Sequence, residues 1–378
     1  MAVTDTDATE RVEPEPVSAQ DPSVSPAVNH HAAHTHTPIP VVAHHAPAPA
    51  STPAPARPRE VEPRGRGVRL AKISRTGDRA FRSLATTSGL AIVLLVLFVG
   101  IFLLALALPS LRADQDNFLT SRNWTVVGNE LRFGIAGLFW TTVLSSILAM
   151  AMAVPVAVGV ALCLTQYLHK RAASPISFII DLLAAVPSII FGLWGLSVLG
   201  PFLAPAAQWL ISKLGWFPLF SASVDPKGSV FVASVVLAIM ILPIVMAISR
   251  DVFAQTPRDH IEAALALGAT RWEVIRTAVL PHGRSGVISA SMLGLGRALG
   301  ETIAVMIILT TPAPGSPFTP SIFAGGETFA SKIANNASEF DSPSKTGAYI
   351  AAGLVLFVVT FAVNAIARII ADRGGAKS

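Results

Sequence analysis

Long apolar runs recur along this chain between residues 88 and 370, and they constrain its fold more than any other feature. Each run is close to or longer than the roughly 20 residues that a helix needs to cross a bilayer. Only 13% of the residues are charged, which is about half the proportion in an ordinary soluble domain. The pattern predicts an all-α, polytopic membrane protein with six transmembrane helices. The predicted helices cover roughly 88–108, 135–166, 176–199, 230–249, 285–310 and 347–370.

The first 67 residues differ sharply from the rest of the chain in composition. They are rich in Pro, Ala, Ser and Thr and show neither helical nor strand periodicity, which predicts a disordered tail. Six of the nine histidines lie in this tail: His30, His31, His34, His36, His44 and His45. Such a cluster can hold a transition metal, but no carboxylate or thiol fixes a geometry, so a solvated tail is favoured. The sequence therefore divides into a tail over 1–67 and a transmembrane domain over 68–378.

Lysine and arginine are distributed unevenly between the two sets of segments that flank the apolar runs. Cytoplasmic loops of membrane proteins carry an excess of these residues. One set holds fifteen of them, whereas the three opposite loops, 109–134, 200–229 and 311–346, hold seven. We therefore predict that both termini and the loop 250–284 face the cytoplasm.

The loop 250–284 has the sequence features of two short helices. Ala263 to Leu267 are strong helix formers, and Gly268 suits the turn that ends a helix. Trp272 and Ile275 suggest a second, amphipathic helix. Small side chains on a short helix permit close approach by a groove of another protein. The alternative is that both helices simply lie on the membrane surface.

The fifth apolar run contains two opposite charges, Arg297 and Glu301, followed by Thr302. Residues four apart share one face of a helix, and a charge at bilayer depth costs at least about 2.5–3.5 kcal/mol on insertion scales. Two interpretations remain open. The pair is either an internal ion pair that only holds the bundle together, or an anion site in which the guanidinium fork binds phosphate oxygens.

The third apolar run carries one acid, Asp181, and a proline, Pro187, next to Ser188. Asp181 either lies at the membrane interface, faces a pathway, or pairs with a basic neighbour. Proline inside a helix removes one backbone hydrogen bond and kinks the chain, and membrane helices tolerate this where neighbours satisfy the freed groups. A packing kink is the default interpretation of Pro187, and a moving hinge is the alternative.

Part of the loop 250–284 reads Glu262-Ala-Ala, three residues, Gly268 and, after an interval, Leu280-Pro281. This segment resembles the cytoplasmic EAA loop of ABC-importer permeases; Ala278 departs from the isoleucine usual in that family. In the family this loop docks into a cleft on the ATP-hydrolysing subunit. The resemblance implies that six residues couple this chain to an ATPase: Glu262, Ala263, Ala264, Gly268, Leu280 and Pro281.

Two further blocks, Gly294–Val305 and Asp181–Gly195, carry a more specific resemblance. They resemble the phosphate-specific permeases of ABC importers, the PstC and PstA families, and Ile303-Ala304-Val305 favours PstC. The resemblance implies the type I, MetI-like permease fold over 68–378 and translocation of inorganic phosphate into a bacterial cell. Another oxyanion, such as sulfate or molybdate, is the alternative substrate. The implied pathway residues are Arg297, Glu301, Thr302, Ser188 and Asp181.

The same resemblance implies a set of partners in the bacterial cytoplasmic membrane. They are a second permease like PstA, a dimer of an ATP-binding subunit like PstB, an extracytoplasmic phosphate-binding protein like PstS, and the lipid bilayer. No phosphate-cradling glycine loop occurs in the sequence, and Ser344-Lys345-Thr346 lacks the required glycines. ATP and Mg²⁺ are therefore expected on the partner ATPase, and this chain is expected to carry no cofactor, metal site or catalytic residue.

Other classes of protein fit the sequence less well. An intramembrane enzyme would need a nucleophile with its base, or a set of metal ligands, at membrane depth, and the apolar runs contain neither. A structural or sensory membrane protein would have little use for an EAA loop. Nothing in the sequence indicates a nucleic-acid partner, because a basic balance in a membrane protein usually marks cytoplasmic loops.

Overall fold

The computed structural model describes residues 75–127, 130–221, 225–313 and 316–375, so the predicted tail over 1–67 lies outside the described residues. Almost all of the described chain is helical, which confirms the predicted helical membrane fold. The helices are α1 (Arg75–Ala113), α2 (Ala136–Leu162), α3 (Lys170–Ala184), α4 (Ser188–Trp194), α5 (Gly200–Leu214), α6 (Val230–Ala254), α7 (Arg258–Ala266), α8 (Arg271–Val274), α9 (Leu280–Gly300), α10 (Ile303–Ile308), α11 (Phe329–Asn335) and α12 (Pro343–Gly375).

Five helical spans of the described chain are long and apolar enough to cross a membrane. They are Gly77–Ala113, Ala136–Tyr167, Ser188–Leu214, Val230–Ala254 and Pro343–Ile369. The predicted count of six is not confirmed. The run predicted as the fifth helix, 285–310, is instead split between α9 and α10, with glycines, serines and Arg297 lowering the apolarity of α9.

The predicted third helix, 176–199, is wrong in position. Helix α3 ends at Ala184, and Pro187 has an extended backbone (φ −59°, ψ 139°) before α4 begins at Ser188. Proline has no N–H to donate and disfavours helix in the residue before it, so it ends one helix and starts the next. The crossing segment then continues through a π-helical turn at Gly195–Leu199 into α5, which lies within the predicted loop 200–229.

Helices α2, α6 and α9 form the core of the bundle. Residues of α6 such as Val236 and Ile241 are completely buried, as is Ala149 of α2. A Cβ added to Gly294 of α9 would lie 2.9 Å from Val245 Cγ2, so glycine permits this close approach. Helix α1 packs chiefly against α12 and leaves most of its apolar surface uncovered within this chain, as a lipid-facing helix does.

A short β-hairpin between α1 and α2 is an element that the all-α prediction did not include. Strand β1 (Trp124–Val127) pairs antiparallel with β2 (Glu130–Phe133), with Trp124 opposite Phe133. Phe133 and Val126 pack against buried alanines of α12. We call the end of the bundle that carries this hairpin and the loop 309–328 the hairpin face; α7 and α8 lie at the opposite end.

Candidate functional site

Arg297 lies on α9 and borders a cavity of about 580 Å³ between α6, α9 and α12. Its Nε atom is buried and has no hydrogen-bond partner in the structure. A buried donor without a partner costs about 1–3 kcal/mol, and more when the group is charged. The site therefore favours an acceptor that supplies the missing bond. The cavity is lined by Ile244, Ser289, Met292, Leu293, Gly296, Arg297 and Asn364.

Glu301 does not share a helix face with Arg297, contrary to the prediction. Helix α9 ends at Gly300, and Glu301 is extended (φ −68°, ψ 126°). Its Oε1 atom accepts a hydrogen bond of 3.4 Å from the backbone N–H of Ala304, so the carboxylate satisfies one of the free donors at the start of α10. Among the ion pairs of the described residues, none joins Arg297 to Glu301. The alternative of an internal ion pair is therefore also absent from this structure.

Thr302 and Ser188 lie at the starts of two helices that pack together. Thr302 precedes α10, and its Oγ1 donates to the carbonyl of Gly300 at 3.2 Å. Ser188 is the first residue of α4. A Cβ on Gly192 of α4 would lie 2.9 Å from Ala304 Cα, which shows how closely α4 and α10 approach. The structure thus brings Ser188, Glu301 and Thr302 into one region of the bundle.

Asp181 pairs with a basic neighbour, which is one of the three alternatives left open by the sequence. Its Oδ2 lies 3.6 Å from Nη1 of Arg250 on α6. The Nε of Arg250 also donates to Asp251 at 3.1 Å. The Asp181 side chain is about half exposed, so solvent screens the pair and its contribution to stability is at most about 1 kcal/mol. It joins α3 to the end of α6.

The predicted coupling residues Glu262, Ala263 and Ala264 lie on α7, as expected for a short helix. None of the residues of α7 is buried within this chain. Gly268 follows α7 with φ +83°, a left-handed conformation that favours glycine. Leu267, just before it, is 89% exposed. An apolar side chain at such a tip is available for contact with another protein.

The second predicted short helix of this loop is not separate. Thr270 caps α8 through a capping box in which Glu273 Oε2 accepts the Thr270 N–H at 2.7 Å. The backbone and side-chain hydrogen bonds from Thr270 lower the pKa of the Glu273 carboxyl. From Arg271 the chain is helical to Gly300, passing through a π-helical turn at Ile275–Val279 just before Pro281.

Leu280 and Pro281, the last two predicted coupling residues, lie on the helix that enters the membrane and not on α7. Leu280 packs against the buried cluster that contains Val245, Met246 and Phe253 of α6. Pro281 lies inside the continuous helix, directly after the π-helical turn at Ile275–Val279 and Leu280, so the irregular turn precedes the position where proline has no N–H to donate. This end of the loop is anchored to a membrane span, whereas α7 is free to dock elsewhere.

The structure contains two further features that the sequence pattern does not predict. Asn364 of α12 and Ser289 of α9 line the same cavity as Arg297; Asn364, a polar residue in an apolar run, was the available signal. The second feature is a buried ion pair at the hairpin face. Lys332 Nζ lies 2.9 Å from Glu327 Oε2, with both side chains about one-tenth exposed.

The chain resembles membrane components of binding-protein-dependent transporters. The family profile described as "Binding-protein-dependent transport system inner membrane component" matches residues 153–374. A Mycobacterium tuberculosis protein named phosphate transport system permease protein PstC 2 is 57% identical over 302 residues, which cover 79% of this chain and 93% of the relative. The Mycobacterium leprae phosphate transport system permease protein PstC is 55% identical and covers 79% and 94%. A relative of the same name from Mesorhizobium japonicum is 39% identical, covering 78% and 90%.

A solved structure of an inward-facing MetNI methionine ABC transporter aligns with 64% of this chain and 95% of that chain. Its TM-score is 0.44 and its sequence identity is 16%.

Proposed function

Because this chain belongs to the binding-protein-dependent inner-membrane transport components, within the group of phosphate transport system permeases named PstC, we propose that it is the membrane-spanning subunit of an ATP-driven phosphate importer. Its relatives carry phosphate transport in their names and match it over nine-tenths of their length. The five apolar spans and the family make it a multi-pass inner-membrane protein.

The observation that carries the proposal is the buried, unpartnered Nε of Arg297 beside a cavity of about 580 Å³. Arginine remains charged at any physiological pH, and its planar fork matches two phosphate oxygens. Asn364 borders the same space, and its side-chain amide can donate hydrogen bonds to further oxygens. Ser289 also lines the space, but its hydroxyl donates to the carbonyl of Ser285 at 3.0 Å. An anion that enters this cavity satisfies the free donor and neutralises the guanidinium charge.

Glu301, Thr302 and Ser188 belong to a second part of the proposed pathway, on the hairpin-face side of Arg297. Hydrogen phosphate still carries a proton, so a carboxylate can accept a hydrogen bond from its hydroxyl group. Sulfate has no proton to donate, so the same carboxylate only repels it. Glu301 is therefore proposed to favour phosphate over sulfate as the anion passes. Asp181 is assigned to holding α3 against α6, since its carboxylate is paired with Arg250.

The proposed partners follow from what this chain offers and lacks. Exposed α7 and Leu267 suit docking to a PstB-like ATPase dimer, which would hold ATP and Mg²⁺. A PstA-like permease would complete the membrane unit, and a PstS-like protein would deliver phosphate at the hairpin face. This chain would then translocate phosphate without catalysing a reaction itself. The proposed orientation places both termini and α7 in the cytoplasm.

Uptake of labelled anions in a strain that lacks this gene tests the proposal against the alternative of another oxyanion. Restoring the wild-type gene should restore uptake of phosphate and leave uptake of sulfate and molybdate at the level of the deletion strain. Restoration of sulfate or molybdate uptake in preference to phosphate would establish the alternative substrate.

A further inference from the structure

A second cavity, of about 520 Å³, opens at the hairpin face and is separate from the Arg297 cavity. We propose that it binds an anionic phospholipid of the adjacent leaflet, with the phosphate head group on Arg122 and the upper part of an acyl chain against the apolar lining. The proposal concerns the bilayer and does not depend on which anion is transported. The cavity is lined by Leu119, Arg122, Ile135, Ala136, Phe139, Trp140, Phe318 and Val355.

The positively charged side chain in this cavity, Arg122, packs against an aromatic ring. The guanidinium carbon of Arg122 lies 3.9 Å from the centre of the Phe318 ring, a cation–π contact. Trp140 in turn packs edge-on against Phe318, with ring centres 6.2 Å apart. Within the part of the chain that the structure describes, no carboxylate pairs with Arg122. Its positive charge is positioned yet remains available to an anion.

The cavity lies where the bundle meets the loops of the hairpin face. Phe139 and Trp140 lie in the first turns of α2. Val355 of α12 packs against the cluster that contains Ile135 and Leu138, so the apolar lining covers about the first turn and a half of α2. A cation at the top and apolar side chains below reproduce the order of a phospholipid, and tryptophan is enriched at this boundary.

The apolar lining favours a lipid over inorganic phosphate. Phe139 remains 43% exposed and Trp140 38% exposed within this chain, and a hydrocarbon chain gains free energy by covering them. Among these lining residues, only Arg122 is a charged donor that could bind free phosphate. The apolar side chains would replace water around the ion without offering hydrogen bonds in return. The combination of one cation and an apolar wall therefore favours a lipid with a negatively charged head group.

Quenching of tryptophan fluorescence by brominated lipids tests the proposal directly. The full chain with its partner subunits is reconstituted in nanodiscs that contain either brominated phosphatidylglycerol or brominated phosphatidylcholine. The Trp140 signal is obtained by subtracting a Trp140→Phe variant. Phosphatidylglycerol is expected to quench Trp140 at about one-fifth of the concentration that phosphatidylcholine requires, from the attraction of one arginine.

Three variants identify the source of that preference. Arg122→Gln should remove it, and Arg122→Lys should retain part of it because the charge remains. Arg132→Gln serves as the matched control, since Arg132 is an exposed arginine of the same hairpin face, and the preference should survive there.

Several outcomes would overturn the proposal. Equal quenching by the two lipids would mean unselective contact with the bilayer. Absence of quenching by both would mean that protein, such as the second permease, covers the cavity. Displacement of phosphatidylglycerol by inorganic phosphate, with Trp140 quenching lost, would show that free phosphate is the ligand instead.

Discussion

Arg297 and Glu301, four residues apart in the sequence, lie on opposite sides of a helix end. Arg297 belongs to α9 and leaves its Nε buried without a partner. Glu301 follows Gly300 in an extended conformation and accepts the N–H of Ala304 at the start of α10. The two charges therefore act in separate places: the arginine is free to bind an anion, and the carboxylate caps a helix.

This separation predicts that the two charges contribute independently to stability. Arg297→Gln and Glu301→Gln should change the free energy of unfolding additively, within about 0.3–0.5 kcal/mol, as expected for residues that share no contact. Thermal unfolding of the wild type, both single variants and the double variant in detergent measures the coupling. A coupling energy well above that range would mean that the residues form an ion pair.

The apolar runs predict several spans closely, because a run of about 20 apolar residues is long enough to cross a bilayer as a helix. The runs 88–108, 135–166, 230–249 and 347–370 all fall within or nearly within the observed helical spans. Apolarity does not report where a helix breaks inside the membrane. The sequence predicts a kink within one helix at Pro187, whereas the proline separates α3 from α4.

The candidate site was predicted in its residue types but not in its geometry. The four-residue spacing predicts Arg297 and Glu301 on one face, but the helix breaks after Gly300, and α10 then packs closely against α4. Asn364 is 67 positions beyond Arg297 in the sequence, so only the packing of α12 on α9 reveals that they line one cavity. The hairpin was missed because its strands have four residues each, too few for a periodicity to be distinctive.

Gly268 is predicted to be required for its backbone conformation. No atom lies within 4 Å of a Cβ built there, so a side chain would clash with nothing in this chain, but φ is +83°. Gly268→Ala should cost about 1–2 kcal/mol in the left-handed conformation and weaken coupling to the ATPase. Gly268→Asn is the matched control, since asparagine tolerates that conformation better. ATP hydrolysis stimulated by the transported anion measures the coupling. An equal loss of this activity in Gly268→Ala and Gly268→Asn would contradict the requirement for a left-handed backbone.

Replacing one partner of the buried ion pair Glu327–Lys332 is predicted to destabilise the protein strongly. Its Nζ–Oε2 distance is 2.9 Å, and the lysine and glutamate side chains are 12% and 10% exposed. Lys332→Met should lower the free energy of unfolding by about 3–5 kcal/mol by leaving a buried charge unpaired, and adding Glu327→Gln should recover much of that loss.

The matched control for this prediction is Lys345→Met. Lys345 pairs with Asp341 at the same 2.9 Å, but the Asp341 side chain is 61% exposed, so the loss should be at most about 1 kcal/mol. Thermal unfolding of the three variants measures the difference. Similar losses for Lys332→Met and Lys345→Met would show that burial of the pair does not matter.

The proposed orientation predicts which side of the membrane each loop occupies. Cys163, the single cysteine, is first replaced by serine, and cysteines are then introduced separately as His260→Cys on α7 and Asn335→Cys on α11. A membrane-impermeant thiol reagent added to intact spheroplasts should label position 335 and leave position 260 unlabelled until the cells are opened. Labelling of position 260 in intact cells would reverse the orientation.

ATP-driven uptake of labelled phosphate by the purified importer in proteoliposomes tests the central claim most directly, when wild type, Arg297→Ala, Arg297→Lys and Arg284→Ala are compared. Arg284 is an exposed arginine of the same helix and serves as the control. We expect phosphate uptake by the wild type and by Arg284→Ala, none by Arg297→Ala, and partial uptake by Arg297→Lys, because an ammonium group lacks the planar fork. Normal uptake by Arg297→Ala, with the assembled complex intact, would contradict the assignment of Arg297 as the phosphate-binding residue of the pathway.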